Sequence, residues 1–308
     1  MEETFVMKLN APLVALFLLL PCAGSGAATT SAHPWCFGRF YVQVPDTAIL
    51  GEEIQSYDGV TLRIRALGSE SFATFVARRH GEIVNGSKAP PVAEYNWSNG
   101  MDGILFVADP SAPSRLMLEG HRSLGANVFV ATTTGDTGKG PQMEKAVVDV
   151  LRAFLPGEGP DGKNPGLCIA GGVLPKPIRN AEEVHAAIEL PQPGALLEIE
   201  TAVLAPTGKG SPTAAAAAVD KQTVVLRQGA KTIAGMAGTE TVIAKTDAAG
   251  ISLHARFDGG GDVDRLPQPE LHLHLATGPD VGHRSGWVSQ KKFLKLWDEL
   301  LASVAEHP

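Results

Sequence analysis

Cysteine, aromatic residues and positive charge are all scarce in this chain of 308 residues, and each shortage closes off a class of protein. Three cysteines are too few for a disulfide-dense scaffold, and none of them forms the Cys-x-x-Cys pair that seeds zinc ribbons and iron–sulfur sites. Lys and Arg number 26 against 33 Asp and Glu, a formal charge of −7. A mildly acidic surface speaks against nucleic acid and anionic membrane as partners. The chain has no Gly-x-Ser-x-Gly nucleophile elbow and no phosphate loop ending in Gly-Lys-Ser/Thr. Ser69 after Gly68 and Ser87 after Gly86 lack the second glycine and the strand-to-helix setting, so they read as turn or cap residues. No catalytic residue and no cofactor site is assigned.

Long apolar runs are also rare. The one near the start, Ala11 to Leu20, follows Lys8 and leads into Ala23-Gly24-Ser25-Gly26-Ala27-Ala28. That is the pattern of a signal peptide, expected to span residues 1–28 and to be cleaved near Ala27 or Ala28. The run is too short to span a bilayer, which takes about 20 apolar residues. Glu2 and Glu3 sit badly in a region that should be positive, so translation can start at Met1 or at Met7. Cys22 raises a lipid anchor, but Pro21 stands where a lipobox needs a small residue. With no further membrane-spanning stretch, the mature chain is expected to be periplasmic.

Apolar residues make up 44% of the chain, enough for two cored domains. The expected class is α+β, as two consecutive domains, each a mostly antiparallel sheet packed with helices: 29–158 and 159–308. The boundary is set by the turn-forming run Leu155 to Gly166, which holds three prolines and four glycines. In the first domain, strands are predicted at 40–44, 60–65, 103–107, 114–120 and 127–131. A helix is predicted from Ser69 to Gly81, with Phe72, Phe75 and Val76 inward and Gly81 at its end. A closing helix carries Met143, Val147, Val150, Leu151 and Phe154 at helical spacing and stops at Pro156. In the second domain, strands are predicted at 183–190, 196–200, 241–244, 251–257 and 271–275. Its closing helix, from about Gln290, has Phe293, Leu294, Trp297, Leu300, Leu301 and Val304 on one stripe. Ser211-Pro212-Thr213 and the alanines 214–218 form a short helix or an insertion.

Two constellations raise chemistry. His272 and His274 share one face of a strand, and His254 on a neighbouring strand can face them, giving imidazoles a zinc-like arrangement. A metal-dependent hydrolase built on His254, His272 and His274 is therefore an alternative to a non-catalytic protein. The plainer reading is the polar side of strands whose other side is Leu271, Leu273 and Leu275. Asp258-Gly259-Gly260-Gly261-Asp262-Val263-Asp264 crowds carboxylates in flexible backbone but lacks the spacing of a calcium loop, and reads as a hairpin turn.

Cys36 opens the segment Trp35-Cys36-Phe37-Gly38-Arg39-Phe40, and Cys168 lies in Pro165-Gly166-Leu167-Cys168-Ile169-Ala170-Gly171-Gly172. In an oxidising compartment the two are expected to form a disulfide; the alternative is two buried thiols. These two segments, with Thr232 to Glu240, Gly250-Ile251, Pro267 to Gly278 and the closing helix, resemble in order the Tli4-like immunity proteins, which neutralise lipase effectors of type VI secretion systems. The resemblance implies a periplasmic protein without catalysis. It would bind a cognate lipase or phospholipase effector and block its access to lipid as a rigid two-domain clamp; a non-catalytic envelope assembly factor with no toxin partner is a separate alternative. The loops at 206–212 and 258–270 are then candidate contact surfaces.

Overall fold

A computed structural model describes residues 31–157, 166–169, 172–178, 182–191, 194–203, 222–260, 269–279 and 289–306, without the side chains of Glu52 and Asp247. The expected signal peptide 1–28 with Cys22, the connector residues 158–165, the 206–212 loop, the 211–218 segment and residues 261–268 lie outside the described residues.

The first half contributes β1 (Ala32–Phe37), β2 (Phe40–Pro45), β3 (Ile49–Tyr57) and β4 (Val60–Ala66), then α1 (Phe72–Ser87). It continues with β5 (Ala93–Trp97), β6 (Met101–Val107), β7 (Arg115–Leu124), β8 (Asn127–Asp136), α2 (Gly140–Ala153) and the two-residue β9 (Leu155–Pro156). The second half contributes β10 (Leu167–Ile169), β11 (Gly172–Leu174), β12 (Glu182–Leu190), β13 (Ala195–Val203), β14 (Thr223–Ile233) and β15 (Met236–Asp247). β16 (Gly250–Gly259), β17 (Glu270–Thr277), α3 (Gln290–Ser303) and the short β18 (Ala305–Glu306) complete it. The class is α+β with antiparallel sheet throughout.

Twelve strands form one sheet in the order β14-β15-β16-β17-β13-β12-β3-β4-β8-β7-β6-β5. The two blocks of strands meet where β3 pairs with β12, from Glu183 opposite Ser56 to Glu189 opposite Ile49. A bulge between Ala186 and Ile188 shifts the register there. This lets Ile49 and Ile54, five residues apart, stand on the same side despite the two-residue period of a strand. Two three-stranded sheets, β1-β2-β18 and β10-β11-β9, lie beside the large one.

Alternation of side chains divides the large sheet into two faces. On β8, Phe129 and Ala131 join the main core with Met143, Val147, Val150 and Leu151 of α2. Val128 and Val130 instead meet Leu67 and Phe75, the latter on α1, on the opposite side. Leu253, Ala255 and Phe257 of β16 and Leu271, Leu273 and Leu275 of β17 face the same core as Phe293, Trp297, Leu300 and Leu301 of α3. Thus α2, α3 and β2 cover one face, while α1 covers only β6 to β8 of the other. Gly120 is required under α2, because a Cβ there would strike Val147 and Leu151.

Helix α1 is longer than its sequence suggests, and Gly81 does not end it. Ser71 caps the start by accepting from the Thr74 N–H at 3.1 Å, and the end comes at Lys88, in the left-handed region at φ 52°. Ile83 and Val84, beyond Gly81, pack with Ile104, Phe106 and Met117. That burial offsets the cost of a helical glycine, about 1 kcal/mol. The segment around Thr232 to Glu240 is a tight hairpin in which Ala234 and Gly235 take φ values of 49° and 77° between Ile233 and Met236. Positive φ at both central residues is the geometry that matches strand twist.

Cys36 and Cys168 are joined in a disulfide with their Cα atoms 5.6 Å apart, closing a sequence separation of 132. Next to it, the Cys168 N–H donates to the Gly38 carbonyl at 2.8 Å. Arg39 lies buried with a forked pair of hydrogen bonds to Glu182, Nη2 to Oε1 at 2.8 Å and Nε to Oε2 at 3.1 Å. Its Nη2 also donates to the Lys176 carbonyl. These contacts tie β2 to the start of β12. A loop of this length makes the disulfide worth about 5 kcal/mol in the chain-entropy account. Replacing both cysteines by Ala, or reducing the protein, is expected to lower the unfolding free energy by about that amount; urea titrations with and without reductant measure it.

Candidate functional site

Beyond the reach of α1, no described helix packs on the second face of the sheet, and this leaves the outward side chains of β3, β12, β13, β17, β16 and β15 as a broad surface. Its rows follow from the register. Ile54 lies opposite His185, His185 opposite Glu200, Glu200 opposite His272 and His272 opposite Asp258. In the next row Ala187, Glu198, His274, Arg256 and Thr241 stand side by side, and in the next Leu196, Ala276, His254 and Ile243. The alternation seen in Leu271, Leu273 and Leu275 sets this pattern: the leucines enter the core, so the histidines between them must face outward.

The three histidines considered for a metal site all lie on this face, but the structure does not bring them to one point. The His274 Nδ1–H donates to Glu198 Oε2 at 2.7 Å, which leaves the lone pair on Nε2 to accept from His254 Nδ1 at 3.3 Å. The two rings stack 5.5 Å apart at an interplanar angle of 7°. His272 donates instead to Asp258 Oδ1 at 2.7 Å, a carboxylate shared with Arg256 Nε at 2.7 Å. The His254, His272 and His274 cluster is therefore a ladder of cross-strand pairs and not a convergent set of metal donors. The partners Glu198 and Asp258 were not legible as such, since pairing across strands depends on register. Residues 261–264 of the acidic loop lie outside the described residues.

Chemically the face is suited to contact. Glu183, Glu189, Glu198, Glu200, Asp258 and Glu270 give it negative character, and apolar groups rise between them. Ile49 is 54% exposed and Ile54 37%. At the sheet edge Val225 lies opposite Ile243, and Val224 and Val225 are also exposed.

The opposite side of the same strands is rigid. Glu240, buried on β15, accepts from Trp297 Nε1 of α3 at 2.7 Å and from Arg227 Nη2 at 2.9 Å. Arg227 also donates to Asp298 Oδ1 at 2.8 Å. The hydrogen bond to Asp298 raises the Arg227 pKa, and the same bond lowers that of Asp298. Helix α3 is thereby fixed to the edge strands, and the surface behind it has little freedom to deform. The shallow groove along the outer side of α3, lined by Gln290, Lys291, Leu294, Lys295, Asp298, Glu299 and Ala302, opens to solvent and carries no cysteine, serine or histidine.

A second cluster of histidine and carboxylate lies under α1, where His80, Asp102 and His121 bring three metal-capable atoms within 4.8 Å of one another. Sequence reasoning missed it. His80 is on a helix, Asp102 and His121 are on strands, and no spacing between them signals a common site.

Residues 162–308 match the family model of the Tle cognate immunity protein 4 C-terminal domain. The apo structure of the immunity protein TplEi of the type VI secretion system from Pseudomonas aeruginosa has the same fold, with a TM-score of 0.74 at 16% identity. The alignment covers 91% of this chain and 99% of that one. The crystal structure of the Tle4–Tli4 complex contains a similar chain, at TM-score 0.70 and 17% identity, covering 91% and 98%. TplEi from Pseudomonas aeruginosa complexed with "L" peptide matches at TM-score 0.70 and 17% identity, covering 91% and 99%. No curated protein sequence matches significantly.

Exposed ion pairs contribute about 0–1 kcal/mol each. Replacing His254, His272 and His274 together by Ala is accordingly expected to leave the circular dichroism spectrum unchanged and to cost less than about 2 kcal/mol in a urea titration.

Proposed function

We propose that this chain, whose residues 162–308 carry the Tle cognate immunity protein 4 C-terminal domain, is an immunity protein that binds a cognate lipase or phospholipase effector of a type VI secretion system and keeps lipid from its active site. The observation that carries this reading is the family match over 162–308, joined to an immunity-protein fold over 91% of the chain. The activity is binding rather than turnover. A twelve-stranded sheet braced by α2 and α3 on one side offers a surface that does not need to reshape on contact. Obstruction is effective when a rigid body covers a cleft with a standard interface, about 1,600 Å² in total.

The proposed place of action is the periplasm. The expected signal peptide 1–28 and the Cys36–Cys168 disulfide support it, and no described helix is long and apolar enough to cross a membrane. The division into 29–158 and 159–308 belongs to the same proposal. The uncovered sheet face is assigned as the effector contact, where carboxylates steer a basic rim and Ile54 and Leu196 supply apolar anchors. A hydrolase built on His254, His272 and His274 is disfavoured by their pairing with carboxylates and with each other.

The test is a lipase assay with the product of a lipase-like gene neighbouring the one that encodes this chain. An equimolar amount of the mature chain is expected to abolish hydrolysis and to co-purify with the effector; a fully active effector in the presence of excess chain would overturn the immunity reading. Ile54→Asp with Leu196→Asp is expected to keep the melting temperature within a few degrees and to weaken inhibition at least ~10-fold. If inhibition by that double variant is unchanged, the contact lies elsewhere on the molecule.

A further inference from the structure

We infer that His80, Asp102 and His121 form a binding site for a divalent transition-metal ion, with zinc as the best fit to two imidazoles and a carboxylate. The site sits between α1 and the sheet, apart from the surface assigned to the effector. His80 comes from the underside of α1, Asp102 from β6 and His121 from β7, where Asp102 and His121 stand directly opposite each other. The donor atoms are His80 Nε2, Asp102 Oδ1 and His121 Nδ1. Asp102 Oδ1 is 2.8 Å from His80 Nε2 and 3.9 Å from His121 Nδ1. These separations bracket the edge of a zinc coordination tetrahedron, about 3.3 Å for bond lengths near 2.0–2.1 Å.

The hydrogen-bond accounting points to a cation. All three donor atoms are buried and make no hydrogen bond, since the close approach of His80 Nε2 to Asp102 lacks hydrogen-bond geometry. His121 Nε2 lies 2.9 Å from Glu119 Oε1. A carboxylate only accepts, so Nε2 carries a proton, and Nδ1 faces the Asp102 oxygen, where a metal ion would take the place of a second ring proton. Two imidazole nitrogens and a carboxylate oxygen thus converge in a place where water does not reach them. Buried polar groups are costly to leave unsatisfied. A proton added to one imidazole would satisfy one pair, whereas a metal ion satisfies all three atoms at once.

The surroundings have the form of an outer shell. Glu119 receives the far nitrogen of His121 and is itself held by both arms of Arg79, with Nε at 2.7 Å and Nη2 at 2.9 Å. Carboxylates in this position fix the tautomer and orientation of a ligating histidine. Phe75 presents its ring edge-on to His121, with centroids 5.5 Å apart at 83°, so the imidazole has one resting orientation. Asp102 and His80 retain side-chain exposures of 21% and 15%, which gives an ion a route in from solvent. The histidine ladder on the open face offers the contrast, because there the lone pairs and protons balance without a cation.

The experiment uses the full mature chain, stripped with a chelator and titrated calorimetrically with zinc sulfate, with cobalt(II) as a spectroscopic substitute. One equivalent of zinc is expected to bind and to raise the melting temperature. Cobalt is expected to give the intense visible bands of four- or five-coordination. His80→Gln and Asp102→Asn should each weaken zinc at least ~100-fold, Glu119→Gln by ~10–100-fold, and His254→Ala with His274→Ala not at all. Circular dichroism checks folding, and His80→Gln, which leaves the pairing of β6 with β7 untouched, serves if Asp102→Asn does not fold. The inference is overturned if the wild-type chain binds no zinc, if His80→Gln binds as tightly as wild type, or if the His254 and His274 variant abolishes binding.

Discussion

The antiparallel pairing of β3 with β12 is the constraint from which the rest of the molecule follows. It joins strands from the first third of the chain to strands beyond residue 181, so that two blocks of hairpins share one sheet and one core. Backbone pairing alone would leave this junction dependent on a few hydrogen bonds and a bulge. The same seam is therefore fastened at several points. The Cys36–Cys168 disulfide, the buried Arg39–Glu182 fork and the Tyr57 hydroxyl donating to the Pro177 carbonyl at 2.9 Å all connect the two halves. The buried ion pair is well placed because both charges are engaged by paired, two-point hydrogen bonds, the condition under which burying charge does not cost stability outright.

Once the sheet is continuous, its faces acquire different tasks. One face must bury the leucines, isoleucines and valines of nearly every strand, and it does so under α2, α3 and β2. Among the described residues, the other face is closed only over β6 to β8, where α1 sits on apolar residues at its two ends and on Arg79, Glu119 and His121 at its middle. Burial would raise the pKa of Glu119, but Arg79 and His121 hold its carboxyl down at about 2. The remaining strands present carboxylates, imidazoles and scattered isoleucines to solvent. In the proposed role of covering an effector's cleft this asymmetry is useful, because stability would come from one side and recognition from the other.

Strong, unbroken period-two alternation was readable. The strands at 40–44, 60–65, 127–131, 183–190, 196–200, 251–257 and 271–275 correspond to β2, β4, β8, β12, β13, β16 and β17, each somewhat longer in the structure. The apolar stripes of α2 and α3 were readable for the same reason. β3 and β14 were not, because each carries a bulge that breaks the alternation, between Ala186 and Ile188 on the partner of β3 and between Val225 and Arg227 on β14. Gly81 misled because helix propensity is local, whereas the contacts of Ile83 and Val84 with β6 are not.

The sequence by itself determined which residues turn inward, that the chain alternates strands with a few amphipathic helices, and that Cys36 and Cys168 were candidates for each other. Those properties follow from composition and from periods of two and 3.6 residues, which are written along the chain. Only the tertiary structure decided which strands are neighbours, and with that the fate of every histidine. His254 and His274 became partners in a surface ladder, while His80 and His121, 41 positions apart, were brought together under α1. Register and helix docking are set by long-range packing, and a chemical site assembled across three elements has no local signature for a sequence to display.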